Sequence, residues 1–299
     1  MIQLNGLTKR YGETVAVDHL TFTVQPGLVT GFLGPNGAGK STTMRMIMGL
    51  DLPTSGTVTI NGRRYHELRH PLRTIGAMLD ARAVHPRRSA YKHLLYLAQS
   101  NGIPESRVGE VLELVGLADA ADRPAGGFSL GMGQRLGIAA AMLGDPPVLL
   151  LDEPINGLDP EGVLWARNLM RGWGAEGRTV LVSSHLMSEM ALTADRLVVI
   201  GRGRLLAEGA IADFTARGSV VVVRTPDAGH FARRLVLAGA FVEPGDTGEL
   251  LVNGMSPRDV GRLAAAENVT LHELSIREPS LEEAFMELTR DAVEWGAAR

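Results

Sequence analysis

The chain has 299 residues, of which 45% are hydrophobic and 21% are charged, and its formal net charge is −3. This composition is typical of globular proteins and excludes general disorder, and the nearly balanced charge without a dense basic tract makes nucleic acid a poor expectation as a partner. The chain contains no cysteine, which excludes disulfide partners, a thiolate nucleophile and cysteine-ligated zinc.

The length exceeds that of a usual single domain, so we expect either one large domain with an appendage or two domains. The start MIQLNGLTKR lacks a basic region followed by an apolar stretch, and no apolar run approaches the length of about 18 residues that spans a bilayer. The sequence therefore predicts a soluble, cytoplasmic chain.

Short strands and one glycine-rich loop make up the predicted N-terminal region. Apolar and polar residues alternate over about 1–33, which is the period of half-buried β-strands, with breaks at Gly12 and at 26–27. The apolar segment 29–33 predicts a strand that runs into GPNGAGKSTT, and the pattern of 41–50 predicts a helix. The order is thus strand, glycine loop, helix.

A helical insert followed by a parallel sheet is predicted for the middle of the chain. Helical periodicity prevails from about 86 to 143, whereas 148–151, 179–182 and 197–200 are continuous apolar strands. Such strands are typical of a parallel sheet covered on both faces, with helices at about 160–174 and 186–193 as crossovers. The sequence GRGR at 201–204 predicts a hairpin turn. The predicted fold class is α/β.

From residue 219 onward the order of elements predicts a second, smaller domain. Strands near 220–223, 240–243, 249–252 and 270–276 alternate with helices near 228–238 and 257–266. This βαββαβ succession predicts a small α+β accessory domain over 219–299, after a first domain over 1–215. SLEE at 280–283 predicts a capping box, with Leu281, Phe285 and Leu288 on one helix face.

A phosphate-binding loop is predicted at residues 34–41. Their sequence GPNGAGKS fits G-x-x-x-x-G-K-[ST], in which small residues let successive backbone N–H groups surround phosphate oxygens at a helix N-terminus. Lys40 would reach the β- and γ-phosphates, and Ser41 would ligate Mg²⁺. The alternative is a plain glycine-rich turn. The predicted ATP contacts are Gly34, Pro35, Asn36, Gly37, Ala38, Gly39, Lys40, Ser41 and Thr42.

Two carboxylates follow the apolar strand VLLL at 148–151. In a parallel sheet the end of this strand lies beside the glycine loop, so Asp152 would hold Mg²⁺ and Glu153 would polarise the attacking water. The metal and Lys40 would neutralise the charge that develops on the phosphate. The alternative interpretation is a strand that ends in an acidic turn.

Further segments accompany these two motifs in a fixed order. FSLGMGQR at 128–135 precedes the acidic strand end, and together with GPNGAGKST and LLLDEP it resembles the ATP-binding cassette (ABC) transporter ATPase family. GLD at 157–159 is similar to the D-loop of that family and SSH at 183–185 to its switch-histidine segment, while Tyr11 lies where the family stacks an aromatic ring on adenine. The resemblance covers about residues 2–215. It implies a P-loop NTPase cassette over 1–215, with its helical subdomain at about 81–145.

The resemblance also implies that two identical chains face each other head to tail, with each ATP between the glycine loop of one chain and the signature segment, residues 128–135, of the other. Ser129 and Gly131 would then donate to the γ-phosphate in trans, and Asp159 would cross the dimer interface. The N-terminus of a helix that begins after Ser129 favours the binding of an anion. His185 would contact the γ-phosphate in cis. Taken alone, His185 fits a structural histidine better, and Tyr11 a core or surface residue.

Two positions depart from the family pattern. Leu130 stands where the family has the first of two glycines after the signature serine, so a restricted turn or a shifted backbone is expected. Asp80 occupies the place of the family's glutamine loop, whose glutamine touches the metal. Asp80 would ligate Mg²⁺ directly or add repulsion beside Asp152 and Glu153, and the alternative is that it faces solvent.

A membrane partner is a further implication of the resemblance. The family docks a helix of its permease against the insert that runs here from Arg82 to about Tyr96. The candidate contacts are Val84, His85, Tyr91 and Leu94. EPSLEEAFMELTR at 278–290 resembles the C-terminal tail of drug-resistance and ABC-2 type exporters. The predicted function is that of an ATPase subunit of an exporter, held peripherally on the inner face of the cell membrane by a separate permease.

Two other functions compete with this one. A soluble ABC-type ATPase that acts on nucleic acid or ribosomes usually carries fused cassettes, a coiled-coil insert or basic extensions, and the sequence shows none of them. A nucleotide-gated regulator with slow turnover is suggested only by Asp80 and Leu130. The sequence does not identify the cargo, since its recognition surface would lie mostly in the permease.

Overall fold

The computed structural model describes residues 1–80, 83–216, 220–245, 247–277, 280–283 and 285–286. Arg82, Ser219 and Leu288, which the sequence analysis mentions, lie outside these ranges. The chain divides into a compact unit Met1–Ile211 and a second unit that begins at Ala212. No helix of the described ranges is both long enough and apolar enough to cross a bilayer.

The first unit contains two β-sheets. A three-stranded antiparallel sheet has the order β2-β1-β4, and a six-stranded sheet has the order β5-β6-β7-β3-β8-β9, in which only β9 runs antiparallel to its neighbour. The strands are β1 Ile2–Tyr11, β2 Thr14–Val24, β3 Val29–Leu33, β4 Ser55–Ile60, β5 Ile75–Met78, β6 Val148–Asp152, β7 Thr179–Ser184, β8 Arg196–Gly201 and β9 Arg204–Ala210. The helices are α1 Lys40–Ile47, α2 Ala90–Ser100, α3 Ser106–Leu114, α4 Leu130–Met142, α5 Pro160–Ala175 and α6 Met187–Thr193, and α7 Ile211–Ala216 follows at the boundary between the two units.

The central strands β3, β6 and β7 are buried along nearly their whole length, as the continuous apolar runs predict for a sheet covered on both faces. Side chains from both sheets and from α1 share one hydrophobic core, which includes Leu4, Phe22, Phe32, Met44 and Leu150. This packing holds α1 in the core, and the loop of residues 34–39 connects the end of β3 to its N-terminus. The predicted α/β class is confirmed.

Helices α2, α3 and α4 form the predicted insert between β5 and β6. Leu94 is 0% exposed and lies on the same face of α2 as the buried Ala90 and Ala98. Residues four apart share a helix face, and this face is directed into the protein. The expectation that Leu94 contacts a permease is therefore wrong, because the side chain belongs to the core of the insert.

The sequence GRGR forms the predicted hairpin turn between β8 and β9. Its two central residues, Arg202 and Gly203, both have positive φ, 50° and 79°, as a tight turn between twisted strands requires. The amide of Gly203 donates to the carbonyl of Ala38 at 2.9 Å, and its carbonyl accepts from the amide of Asp18 at 2.9 Å. The turn thereby supports the glycine loop through backbone contacts.

The second unit has a four-stranded antiparallel sheet of order β11-β12-β10-β13. Its elements are β10 Val220–Arg224, α8 Ala228–Leu237, β11 Phe241–Pro244, β12 Leu250–Asn253, α9 Pro257–Ala266 and β13 Glu273–Arg277. This succession with this strand order is the split βαβ arrangement of ferredoxin-like domains. Val223 on β10, Phe231 and Leu235 on α8 and Val260 on α9 are fully buried, so both helices cover one face of the sheet.

The predicted capping box is present after β13. The hydroxyl of Ser280 accepts from the amide of Glu283 at 3.1 Å, and the amide of Ser280 donates to Oε2 of Glu283 at 2.7 Å. Leu281 and Phe285 are both buried, as a shared helix face predicts.

Candidate functional site

The glycine loop between β3 and α1 has a backbone that other residues could not adopt. Gly37 and Gly39 have φ of 79° and 102°, the left-handed region that favours glycine. A Cβ on Gly39 would lie 2.6 Å from the carbonyl oxygen of Ala16, and one on Gly34 would lie 2.6 Å from that of Ile200. The loop therefore packs closely against its neighbouring strands and leads into the N-terminus of α1, whose first amides lack intrahelical partners and favour an anion.

A cavity of about 310 Å³ lies over this loop. Its lining is the loop itself with one residue of β2 and the end of β6: Ala16, Asn36, Gly37, Ala38, Gly39, Lys40, Ser41, Thr42, Asp152 and Glu153. The structure thus brings the predicted phosphate loop and the two predicted carboxylates to one cavity.

Lys40 is only 8% exposed, and its ammonium donates to the carbonyls of Gly34 at 2.6 Å and Pro35 at 3.3 Å. Burial lowers the pKa of this ammonium, and the charges of Glu153 and Asp152 oppose that shift. The cation is held inside its own loop by backbone carbonyls. A phosphate oxygen would replace a neutral partner with a charged one.

Asp152 has a hydroxyl partner on each carboxylate oxygen. Ser41 Oγ donates to its Oδ2 at 2.9 Å, and Ser183 Oγ donates to its Oδ1. An adjacent hydroxyl and carboxylate suit Mg²⁺, which takes few protein ligands and keeps phosphate and water oxygens for the rest. In the described ranges no three His, Asp or Glu side chains gather as a metal site.

Glu153 has φ of 51°, which is uncommon for a residue with a side chain. Its amide donates to Ser183 Oγ at 3.0 Å and to the carbonyl of Ser183 at 3.3 Å. Its Oε2 lies 2.9 Å from Nδ1 of His185. The end of β7 therefore holds both the main chain and the carboxylate of Glu153 beside the glycine loop.

Tyr11 lies at the end of β1 and is 49% exposed, so the faces of its ring are accessible in part. Its hydroxyl donates to Oδ2 of Asp51 at 3.0 Å, and the same oxygen accepts from Nε of Arg45 at 2.8 Å. The Lys9 ammonium lies 4.9 Å from the ring centroid. Burial, followed by the bond to Asp51, raises the pKa of Tyr11. The contact of Tyr11 with adenine stays a prediction, since Tyr11 does not line the cavity over the glycine loop, and the sequence analysis did not anticipate its contacts with Asp51 and Arg45.

Ser129 is the N-cap of α4, where its hydroxyl accepts from the amide of Met132 at 3.2 Å. Leu130 begins the helix without a positive φ, so the expected backbone shift is not needed. Its side chain fills the space next to Gly157, which has φ of 74° and has no room for a Cβ. Leu130 thereby joins the start of the signature segment to the predicted D-loop.

Ser129 and Leu130 line a separate cavity of about 350 Å³, with Phe128 and Gly133 among its other walls. The cavity over the glycine loop contains no residue of the signature segment among its lining. The two cavities therefore have no lining residue in common, and Gly131 lies in the first turn of α4.

Asp159 is exposed and caps α5, with its Oδ1 accepting from the amide of Gly162 at 2.9 Å.

Asp80 is exposed and lines a third cavity of about 650 Å³ together with Ser41 and Asp152. Asp80 thus faces the same cleft as the two residues that fit a metal.

Known proteins share this arrangement of motifs. A family described as ABC transporter matches residues 17–156, and residues 219–282 match a domain of unknown function. An uncharacterized ABC transporter ATP-binding protein of Bacillus subtilis strain 168, YhcH, is 34% identical over 98% of this chain and 97% of its own length. The chain belongs to the ABC transporter family. It is therefore a nucleotide-binding ATPase of this family.

Other members extend the comparison. The bacitracin transport ATP-binding protein BcrA of Bacillus licheniformis is 43% identical over 70% of this chain and 69% of its own length. Among solved structures, an ATP-binding subunit of an ABC transporter matches 73% of this chain and 92% of its own with a TM-score of 0.66 and 28% identity. The dimeric cassette MJ0796 matches 71% of this chain and 99% of its own with a TM-score of 0.65 and 26% identity. The family match at residues 17–156 includes the glycine loop and both carboxylates.

Proposed function

We propose that this ABC ATPase is the energising subunit of an exporter. Two copies close around two Mg-ATP molecules, and closure and hydrolysis drive a separate membrane permease. The observation that carries the proposal is that Lys40, Asp152 and Glu153 share one cavity while Ser129 lines another. One chain thus offers two halves of a nucleotide site on different surfaces, as a head-to-tail pair of chains requires. The related cassette MJ0796 is described as a dimer, which supports this pairing.

Within the pair, Ser129 and Gly131 would bind the γ-phosphate that the other copy's glycine loop holds. Ser129 is exposed and caps α4, so a second chain can reach it. The first turn of a helix presents amides without intrahelical partners and the positive end of the helix dipole, which favours an anion. Asp159 is exposed as well and would meet the partner copy across the same seam.

Each residue near the glycine loop takes one part of the hydrolysis. Lys40 binds the β- and γ-phosphates, and Ser41 with Asp152 would hold Mg²⁺. When bound, this ion supplies positive charge that offsets the charge developing on the phosphates. Glu153 orients and polarises the attacking water, and His185 fixes the carboxylate and contacts the γ-phosphate.

The cleft of about 650 Å³ is the proposed site of the permease. Its wall is partly apolar, with Met48, Leu50, Met78, Leu79 and Leu97. Val84 also lines it, whereas His85 is exposed outside it and the hydroxyl of Tyr91 donates to Glu105 at 2.6 Å. Val84 is therefore the strongest of the predicted docking residues. Because the cleft also contains Ser41 and Asp152, a segment seated there would sense the state of the metal.

The names of relatives support transport, and one of them supports export as its direction. They are described as ATP-binding proteins of bacitracin transport, lantibiotic transport and Nod factor export. We propose that the chain is cytoplasmic and lies on the inner face of the cell membrane through its permease. We also propose residues 1–215 as the catalytic cassette and 219–299 as an accessory domain.

The test is the oligomeric state of Glu153→Gln, measured by light scattering with and without saturating Mg-ATP. This substitution keeps the shape of the side chain but removes the carboxylate that activates water, so the closed dimer should accumulate while turnover is lost. Glu113→Gln, a change of an exposed residue on α3, is the matched control and should turn over ATP like the wild type. A Glu153→Gln chain that stays monomeric under these conditions contradicts the proposal. Stimulation of wild-type turnover by RNA or DNA would favour the nucleic-acid alternative.

A further inference from the structure

We propose that Gln134 is a positioning residue for Glu153 and links the signature helix α4 to the hydrolytic carboxylate of the same chain. This inference rests on the proposed roles of Glu153 and Ser129. The amide Nε2 of Gln134 donates to the main-chain carbonyl of Glu153 at 3.4 Å. The sequence analysis quoted Gln134 within the signature segment without assigning it a role.

Packing alone does not explain a polar side chain at position 134. The residue is 6% exposed, and no donor among the described residues reaches its Oε1. A buried acceptor without a partner costs free energy, and an apolar side chain of the same length would fill the space without that cost. The contribution that needs an amide is the hydrogen bond to Glu153.

Glu153 depends on such contacts because its backbone is strained. A non-glycine residue with φ of 51° persists only when its surroundings fix it. Ser183 binds its amide and His185 binds its carboxylate. Its carbonyl accepts from the side chain of Gln134 at 3.4 Å and from the amide of Asn156 at 3.2 Å. The Asn156 contact is local to the turn, whereas the Gln134 contact joins this carbonyl to the helical insert. Without Gln134, the turn after Glu153 loses its bond to α4 and can shift as a unit, which moves the carboxylate away from its water-activating position.

The position of Gln134 on α4 makes the link mechanical. Ser129 caps the helix, and Gln134 lies on the following turn and a half of the same rigid element. The next residue, Arg135, stacks its guanidinium 4.2 Å from the ring centroid of Trp165 on α5 and donates to the carbonyl of Val115 at 2.9 Å. A nucleotide that is held by the second copy and contacts Ser129 therefore binds at the N-terminus of the same helix whose Gln134 donates to the carbonyl of Glu153. Occupation of one site would thus set the geometry of the other.

The experiment uses the full chain and the substitution Gln134→Met, which keeps length and volume but removes the donor. The melting temperature should stay the same or rise because the unpaired Oε1 is removed, and the Kd and KM for Mg-ATP should change by less than about twofold. The kcat should fall by about tenfold, which is the loss of one oriented hydrogen bond in the transition state. Gln99→Met is the matched control, since Gln99 is exposed on α2 and should leave all four values unchanged.

The outcomes separate this inference from the proposed function. If Glu153→Gln abolishes turnover while Gln134→Met keeps the wild-type kcat, the link is refuted and the proposed function stands. If both variants keep wild-type turnover, the role of Glu153 itself fails. A kcat that falls only in proportion to a lowered melting temperature assigns Gln134 to packing and overturns the inference. Dimerisation of the double variant Gln134→Met/Glu153→Gln with Mg-ATP should equal that of Glu153→Gln, because the amide acts after closure.

Discussion

The imidazole of His185 and the carboxylate of Glu153 meet at 2.9 Å across the ends of two paired strands. Glu153 follows β6 and His185 follows β7, and the register pairs Asp152 with Ser183. Because parallel strands end at the same edge of a sheet, residues about 30 apart in sequence become neighbours there. A carboxylate that accepts this hydrogen bond uses the N–H of Nδ1, so the other ring nitrogen, Nε2, is the one that the proposed contact with the γ-phosphate would use.

His185→Ala should reduce kcat by about a hundredfold, since it removes the group that orients the general base, and it should leave the Kd for ATP nearly unchanged. Stopped-flow binding together with steady-state turnover measures both quantities. His230→Ala is the control, because His230 is exposed on α8 in the second unit. Equal turnover in the two variants would remove His185 from the site.

Lys40→Ala should abolish the stabilisation that Mg-ATP gives the chain. A ligand at a hundredfold excess over its Kd stabilises the folded state by about 2.7 kcal/mol. Thermal unfolding with and without Mg-ATP should show that gain in the wild type and in Lys92→Ala, whose lysine is exposed on α2, but not in Lys40→Ala. A full ligand-induced shift in Lys40→Ala would show that the loop does not hold the phosphates.

Gly157→Ala should destabilise the chain for two separable reasons. The positive φ of 74° costs about 1–2 kcal/mol for a residue with a side chain, and the new Cβ would collide with Leu130. Leu130→Ala in the same chain should recover the steric part but not the backbone part, so chemical unfolding of the single and double variants should be non-additive. Gly172→Ala on α5, where a Cβ meets nothing, should instead stabilise by about 1 kcal/mol. Additive effects of Gly157→Ala and Leu130→Ala would contradict the contact.

Asp51→Ala should raise the KM for ATP several-fold with little change in kcat, because the bond that holds the Tyr11 hydroxyl is lost while the phosphate site is intact. Steady-state kinetics with ATP test this, and Asp119→Ala, an exposed change in the helical insert, should leave KM unchanged. An unaltered KM in Asp51→Ala would mean that Tyr11 needs no support from Asp51.

The contact between Arg45 and Asp51 predicts that the stability of the folded chain depends on pH. The hydrogen bond from Arg45 lowers the pKa of Asp51 below its ordinary value of 3.8, against the opposing effect of burial. A lowered carboxyl pKa contributes stability that is complete above the unfolded value and is lost as the pH falls through the folded value. The difference in melting temperature between the wild type and Asp51→Ala should thus be constant above about pH 5 and shrink below 3.8. A difference in melting temperature that persists at the lowest pH would show that the ionised carboxylate of Asp51 is not the source of this stability.

Asp80→Ala should shift the Mg²⁺ concentration that gives half-maximal turnover, because Asp80 lines the same cleft as Ser41 and Asp152. Removal of a carboxylate from a metal site weakens binding of a hard cation, whereas removal of a mere repulsive charge strengthens it. Titration of turnover with Mg²⁺ distinguishes these two signs. Asp122→Ala, an exposed change in the insert, is the control. Superimposable titrations for the wild type and Asp80→Ala would place Asp80 outside the site.

Local patterns explain why much of the architecture followed from the sequence. The continuous apolar runs of β6 and β7 are buried only in a sheet that is covered on both faces. The glycines of the phosphate loop, such as Gly39, indicate a loop whose backbone needs positive φ. The order of the second unit also followed from short-range periodicity. Leu94 shows the limit of such patterns, since periodicity identifies an apolar helix face but not whether it meets the protein or a partner.

The amino-acid order by itself determined the family, the α/β class and the phosphate loop, because each depends on residues close together in the chain. The contacts of Tyr11 with Asp51, of Leu130 with Gly157 and of Gln134 with the carbonyl of Glu153 came only from the tertiary structure. These contacts are between residues on elements that are distant in sequence. The periodicity of a sequence does not specify which of these elements lie next to each other. Packing around α1 and α4 decides those pairs, and with them how the carboxylate of Glu153 is held.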